Sequence, residues 1–114
     1  MQPCVYMMTN QRNGTLYIGV TSDLIKRVWQ HKHEVADGFT KKYRLHNVVW
    51  YEPHETMESA ITREKALKFW QRVWKVRLIE QLNPNWQDLY PEILGLDSGL
   101  RQNDEQGNNT QRLL

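Results

Sequence analysis

The sequence predicts an α+β domain: a small three-stranded sheet, made of an N-terminal β-hairpin plus one strand and covered by helices, in the order ββαβαα. Three observations predict it. Two short apolar runs, Cys4-Val5-Tyr6-Met7-Met8 and Leu16-Tyr17-Ile18-Gly19-Val20, flank a polar stretch containing Asn13-Gly14, the dipeptide that marks a hairpin most strongly. A third β-type run, Val48-Val49-Trp50-Tyr51, is closed by Pro53. The remaining apolar residues recur at helical spacing between and after these runs.

Both hairpin strands are apolar on both parities, which predicts a sheet covered on both faces. Thr21-Ser22-Asp23 offers N-cap residues for a helix from about Asp23 to Val35, stopped at Asp37-Gly38. The basic stretch from Thr40 to Arg44 reads as a loop. After the third strand, a helix starts near Thr56 and runs through Lys68, and helical pattern resumes from Gln71 to Leu82. Asn83-Pro84 ends it. Trp29, Trp70, Trp74 and Trp86 are expected in the core. The domain is read as residues 1–94, and 95–114, rich in Gly, Asn, Gln and Asp, as a disordered tail.

Composition narrows the function classes. The chain has 114 residues, the size of one ordinary domain, and 39% hydrophobic and 25% charged residues. No apolar run approaches the roughly 18 residues of a membrane-spanning helix, so no membrane partner is expected. The N-terminus lacks a basic n-region and a signal-like apolar stretch, and Cys4 is the single cysteine. A cytoplasmic location is therefore expected, and an internal disulfide or multi-cysteine zinc site is excluded. Residues 1–90 hold 13 Lys/Arg against 9 Asp/Glu, a mildly basic balance compatible with phosphate binding.

A few residues stand out as candidates for chemistry. On a helical wheel Met57, Ala60, Ile61 and Leu67 form an apolar stripe, and Glu64 falls in the middle of it. An ionised carboxylate there needs a cation or a hydrogen-bonding partner; the cation is either a metal ion or an ion-pair partner such as Lys68 or Arg27. Arg27 and His31, spaced i, i+4, share a face at the edge of the Leu24, Val28 and Val35 stripe. Arginine can grip two phosphate oxygens and histidine can exchange a proton near neutral pH. Gly19 inside a strand suggests a bulge or a close approach by another group. Lys41, Lys42 and Arg44 around Tyr43 suit a nucleic-acid backbone as well as a solvated loop.

The ordered set Tyr6, Tyr17-Ile18-Gly19, Arg27, His31 and Glu64 resembles the GIY-YIG nuclease family. Cys4-Val5-Tyr6 stands where the family has Gly-Ile-Tyr, and the second motif is intact. Asp23-Leu24-Ile25-Lys26-Arg27 with His31 looks like the family's Arg-bearing helix. Ala60-Ile61-Thr62-Arg63-Glu64-Lys65 looks like its metal-binding segment. Lys68, Trp70 and the stretch from Asn83 to Tyr90 resemble the compact bacterial stand-alone members.

The resemblance spans about Pro3 to Tyr90. It implies a metal-dependent endonuclease that hydrolyses phosphodiester bonds in DNA, with RNA also open, in repair or recombination. Glu64 would hold one Mg²⁺ or Mn²⁺ and Arg27 would stabilise the charge developing on phosphorus. Tyr6 or Tyr17, helped by His31, would activate water, and Lys41, Lys42, Arg44 and Lys68 would hold nucleic acid. Many members carry an Asn about one helix length after the Glu. None stands near Val76 or Arg77, and Asn83 is the nearest replacement. The second reading is a nucleic-acid-binding module of the same fold, weak in catalysis, that needs a partner protein. The third is a protein-interaction domain using its tryptophans.

Overall fold

The structure, a computed structural model, describes residues 2–36 and 38–95. Among the described residues the elements follow in the order β1 (Cys4–Thr9), β2 (Leu16–Thr21), α1 (Leu24–Lys32), α2 (Phe39–Lys42), β3 (Asn47–Pro53), α3 (Met57–Phe69) and α4 (Arg72–Leu82), and residues 90–95 are also helical. The predicted ββαβαα order holds, with the four-residue α2 added. The tail expected over 95–114 lies, past Gly95, outside the described residues.

The sheet is antiparallel in the order β2-β1-β3, so the first strand is central. Asn13, at φ 58°, and a Gly14 N–H to Gln11 carbonyl bond of 2.9 Å turn the hairpin. The register sets Tyr6 opposite Gly19 on one side and Tyr51 on the other. A bulge in β3 shifts its register between Met7 and Met8.

Every residue of β1 is buried, because the sheet is covered on both faces as its two-parity pattern predicts. Cys4, Tyr6 and Met8 pack on one face with Leu24, Val28, Leu45 and Leu89. Val5 and Met7 pack on the other with Ile18, Val49, Ala60, Leu67 and Ile79. The bulge is what lets Val49 and Trp50, adjacent in sequence, join the same cluster.

Local capping explains the helix ends. The Asp23 carboxylate accepts from the Lys26 N–H, and the Thr56 hydroxyl from the Ser59 N–H, each satisfying an orphan donor of the first turn. The first helix stops at Lys32, earlier than the expected Val35. Glu34 turns left-handed (φ 56°), and the Val35 N–H bonds to the Gln30 carbonyl at 3.0 Å and the Glu34 N–H to the His31 carbonyl at 3.1 Å. That is a Schellman closure formed without the usual glycine, which is why spacing alone missed it.

Two expectations about packing are corrected. The stretch read as a loop contains α2, because Phe39 and Thr40 both find partners across the domain. Trp29 and Trp74 are not core residues: they are 46% and 52% exposed, whereas Trp86 is buried. Trp29 instead stacks on His33, with ring centroids 4.0 Å apart.

Candidate active site

The hairpin and α1 bring three rings together. Tyr6 points from the central strand to His31, with 2.9 Å between its hydroxyl and Nε2. Tyr17 lies 6.2 Å from Tyr6 and 5.8 Å from His31 between ring centroids. Helical spacing carries His31 one turn past Arg27, on the buried side of α1. Tyr6 and His31 are 2% and 4% exposed.

Gly19 makes this arrangement possible. A Cβ at that position would stand 2.5 Å from the Tyr6 hydroxyl oxygen, 2.6 Å from Cζ and 2.9 Å from Cε2 of Tyr17. The close approach expected at this glycine is that of the Tyr6 ring across the β1–β2 pair.

The second ring nitrogen of His31 meets Thr40. Nδ1 and the Thr40 hydroxyl are 2.9 Å apart, and Thr40 is 2% exposed. Phe39 stacks on Tyr17 at 6.3 Å. Sequence reading missed both residues. Their only signal was lying beside the basic stretch, since contact with His31 and Tyr17 arises from the chain folding back after α1.

Burial and charge set the protonation states. Burial, reinforced by the neighbouring Tyr17, pushes the Tyr6 hydroxyl well above the ordinary tyrosine range, and Arg27 opposes the shift. Burial first, and the Arg27 charge second, lower His31 from 6.5 to about 4. At neutral pH the pocket therefore holds a phenol and a neutral imidazole. The consistent arrangement has the Tyr6 O–H donating to Nε2 and the Nδ1–H donating to Thr40.

Arg27 is half-buried, and its guanidinium forms no hydrogen bond or salt bridge among the described residues. Its charge reaches both Tyr6 and His31, so an anion placed beside it would lie next to the ring cluster.

Glu64 comes from α3, which lies over β1 and β2. Its charge reaches the Tyr6 hydroxyl, further raising that group. The carboxylate is 13% exposed and pairs with Lys68 at 2.7 Å. Of the two side-chain cations weighed for Glu64 in the sequence, Lys68 is the one found beside it, and Arg27 forms no salt bridge with it. Lys68 pairs with it, yet Lys68 is 51% exposed, so its ammonium can return to water and vacate the carboxylate. Lys41, Lys42 and Arg44 are exposed around the far end of α2, and Lys42 sits 5.4 Å above the Tyr43 ring.

Asn83 does not join this pocket. Its amide donates to the Val49 and Gln87 carbonyls at 3.1 and 2.7 Å, and its oxygen accepts from the Gln87 N–H at 3.0 Å. It is a buried clasp between the end of α4 and β3.

Among the described residues, no group of three His, Cys, Asp or Glu side chains is placed to hold a metal. The residues present fit a hard, largely hydrated ion, for which one or two carboxylates suffice. Glu64 supplies one such carboxylate.

The sheet of order β2-β1-β3 carries two tyrosines, and the helices beside it carry an Arg-His face and a carboxylate. The GIY-YIG catalytic domain family matches residues 2–77, and the chain belongs to this family of nucleases. Over 69 residues it is 35% identical to the UPF0213 protein SA0446 of Staphylococcus aureus strain N315, and equally to SAV0488 of strain Mu50. The match covers 60% of this chain and 84% of either relative. The solution NMR structure of UPF0213 protein BH0048 from Bacillus halodurans is similar at a TM-score of 0.41 and 20% identity, over 96% of this chain and all of that one. Among the described residues, no helix is long and apolar enough to cross a membrane.

Proposed function

We propose that the chain is a metal-dependent endonuclease that hydrolyses phosphodiester bonds in DNA. The observation that carries this reading is the Tyr6–His31–Thr40 chain of hydrogen bonds, whose Tyr6 end feels the charges of both Arg27 and Glu64.

Each residue has a defined part. Arg27 binds the scissile phosphate and stabilises the extra charge that develops when water attacks phosphorus. Glu64 holds one Mg²⁺ or Mn²⁺ through its carboxylate, with Lys68 released to solvent. When bound, such an ion polarises a phosphoryl oxygen and lowers the pKa of coordinated water.

Tyr6 is too hard to ionise to act as a standing tyrosinate base. Its oxygen instead accepts a proton from the attacking water while its own proton passes to Nε2 of His31. The neutral state of His31 keeps Nε2 ready to receive it. Phosphate negative charge beside Arg27 offsets the influence that holds His31 low, making it a better acceptor once substrate is bound. Tyr17, packed against Tyr6, His31 and Phe39, fixes the rings and borders the path of the water.

Lys41, Lys42 and Arg44 hold the nucleic-acid backbone, adjoining the pocket through Thr40. The reading is tested by incubating wild-type protein and a Glu64→Ala variant with labelled single-stranded, duplex, flapped and four-way DNA, with and without Mg²⁺. Cleavage of one or more substrates by the wild type alone, and only with metal, is expected. Equal cleavage by both proteins would overturn the assignment of Glu64. Binding without cleavage would favour the non-catalytic module.

A further inference from the structure

Apart from Lys68, which pairs with Glu64, the surface formed by the end of α3 and the first turns of α4 plays no part in the site described above. It has an unusual composition. Residues 65–79 contain Lys65, Lys68, Arg72, Lys75 and Arg77, no Asp or Glu, and the aromatics Phe69, Trp70 and Trp74. Phe69 is 89% exposed and Trp74 is 52% exposed, although a protein folding by itself gains by burying such rings.

Trp70 and Trp74 meet edge to face, 6.1 Å apart and at 83°. Arg63 covers the Trp70 ring at 5.4 Å and is itself tied to Glu52. Trp74 is the more open ring. With Trp70, Arg77, Leu78 and Gln81 it lines a shallow cavity of about 300 Å³. Arg77 is exposed, and its guanidinium forms no hydrogen bond or salt bridge among the described residues.

We infer that this cavity is a second nucleic-acid subsite that takes an unpaired nucleotide. The base stacks on Trp74, its edge meets the Gln81 amide, and the adjoining phosphate meets Arg77. An open aromatic ring with an unpaired guanidinium beside it is the combination by which single strands are held without sequence preference. The charge decides against a protein partner of ordinary composition: Lys68 pairs with Glu64, but Lys65, Arg72, Lys75 and Arg77 have no carboxylate partner among the described residues, and four such cations complement a polyanion. Duplex bases are already stacked on one another and cannot use Trp74, so the subsite favours strands with an unpaired segment. The inference rests on the nuclease reading for the identity of the ligand, but its test does not depend on cleavage.

Binding of a fluorescein-labelled single-stranded oligodeoxynucleotide and of a blunt hairpin duplex is measured in EDTA, with Trp74→Ala, Trp74→Phe, Arg77→Gln and the Lys41/Lys42/Arg44→Ala triple variant. Because both altered side chains at the subsite are exposed, unchanged circular dichroism melting is expected. Trp74→Ala should weaken single-strand binding about 10-fold or more, Trp74→Phe should retain most of it, and duplex affinity should stay within about twofold. Single-strand affinity unchanged in Trp74→Ala, with the triple variant impaired, would overturn the subsite while leaving the nuclease reading intact. Single-strand binding through Trp74 by a wild-type protein that cuts nothing would uphold the subsite and defeat the nuclease reading. A wild-type dimer in analytical ultracentrifugation that dissociates on Trp74→Ala would assign the surface to a second copy and overturn the inference.

Discussion

Replacing Gly19 by Ala adds a single methyl group, and the structure says where it would land. The new Cβ would lie 2.5 Å from the Tyr6 oxygen, and reaching an ordinary 3.4 Å contact demands a shift of about 0.9 Å. Tyr6 has nowhere to go: it is 2% exposed, and its hydroxyl is held 2.9 Å from His31. Backbone separation within the β1–β2 pair is the other way out, and that strains the ladder. Overpacking of this kind costs about 1–3 kcal/mol. For a domain of this size that is a fall in Tm of roughly 5–20 °C. Displacing a catalytic group by about 1 Å costs ~10²-fold in rate, so cleavage should fall by about that factor. Thermal unfolding and a cleavage assay check both numbers. In a Tyr6→Ala background the same substitution should lose part of its effect on stability, because the nearer of the two rings it meets is gone while Tyr17 remains. A Gly19→Ala variant with wild-type Tm and wild-type cleavage would refute the reasoning.

Further expectations concern His31 and its partner. With His31 lowered to about 4, the acid limb of kcat/KM should lie near pH 4, and a limb near 6.5 would contradict the burial argument. The folded state keeps His31 neutral while the unfolded chain takes up a proton below about pH 6.5. This residue's stability penalty is therefore absent above that pH and grows as pH falls toward 4. Between pH 7.5 and 4.5 the stability difference between wild type and His31→Gln should change by roughly 2–3 kcal/mol in favour of the variant, and a pH-independent difference in urea unfolding would rule this out. Thr40→Val removes the hydroxyl that faces Nδ1 and should lower kcat about 10-fold or more with KM for DNA little changed. Thr40→Ser should restore most of the rate, and failure of that rescue would leave Thr40 a packing residue.

Much of this was legible in the sequence because it rests on local rules. The strands and the hairpin follow from apolar runs around Asn13-Gly14, and the two-faced burial follows from their parity. Glu64 was visible because a carboxylate inside an apolar stripe conflicts with its surroundings, and Gly19 because a strand glycine asks for a close neighbour. What stayed hidden depends on contacts made only when the chain folds back. Four residues of α2 are too few for a period to show, and Thr40 acquires its meaning from His31. Asn83 drew notice for its resemblance to a family asparagine, but its bonds to Val49 and Gln87 show a backbone clasp. Trp86 obeys the rule that large apolar rings default to the core, but Trp29 and Trp74 were misplaced by it: one stacks on His33 at the surface and the other lies over a stretch holding five cations.

The role of Glu64 is the centre of the account, and Glu64→Gln tests it most directly. The substitution keeps the shape and removes the charge that would hold the ion. Its pairing with Lys68 exists, but the half-exposed ammonium is not stranded when the charge goes, so the structural cost should stay within about 1 kcal/mol. Near-complete loss of Mg²⁺-dependent cleavage is expected, with Tm and DNA affinity close to wild type. A variant that still cuts normally, or one destabilised by about 3–5 kcal/mol as a broken buried pair would be, would contradict it.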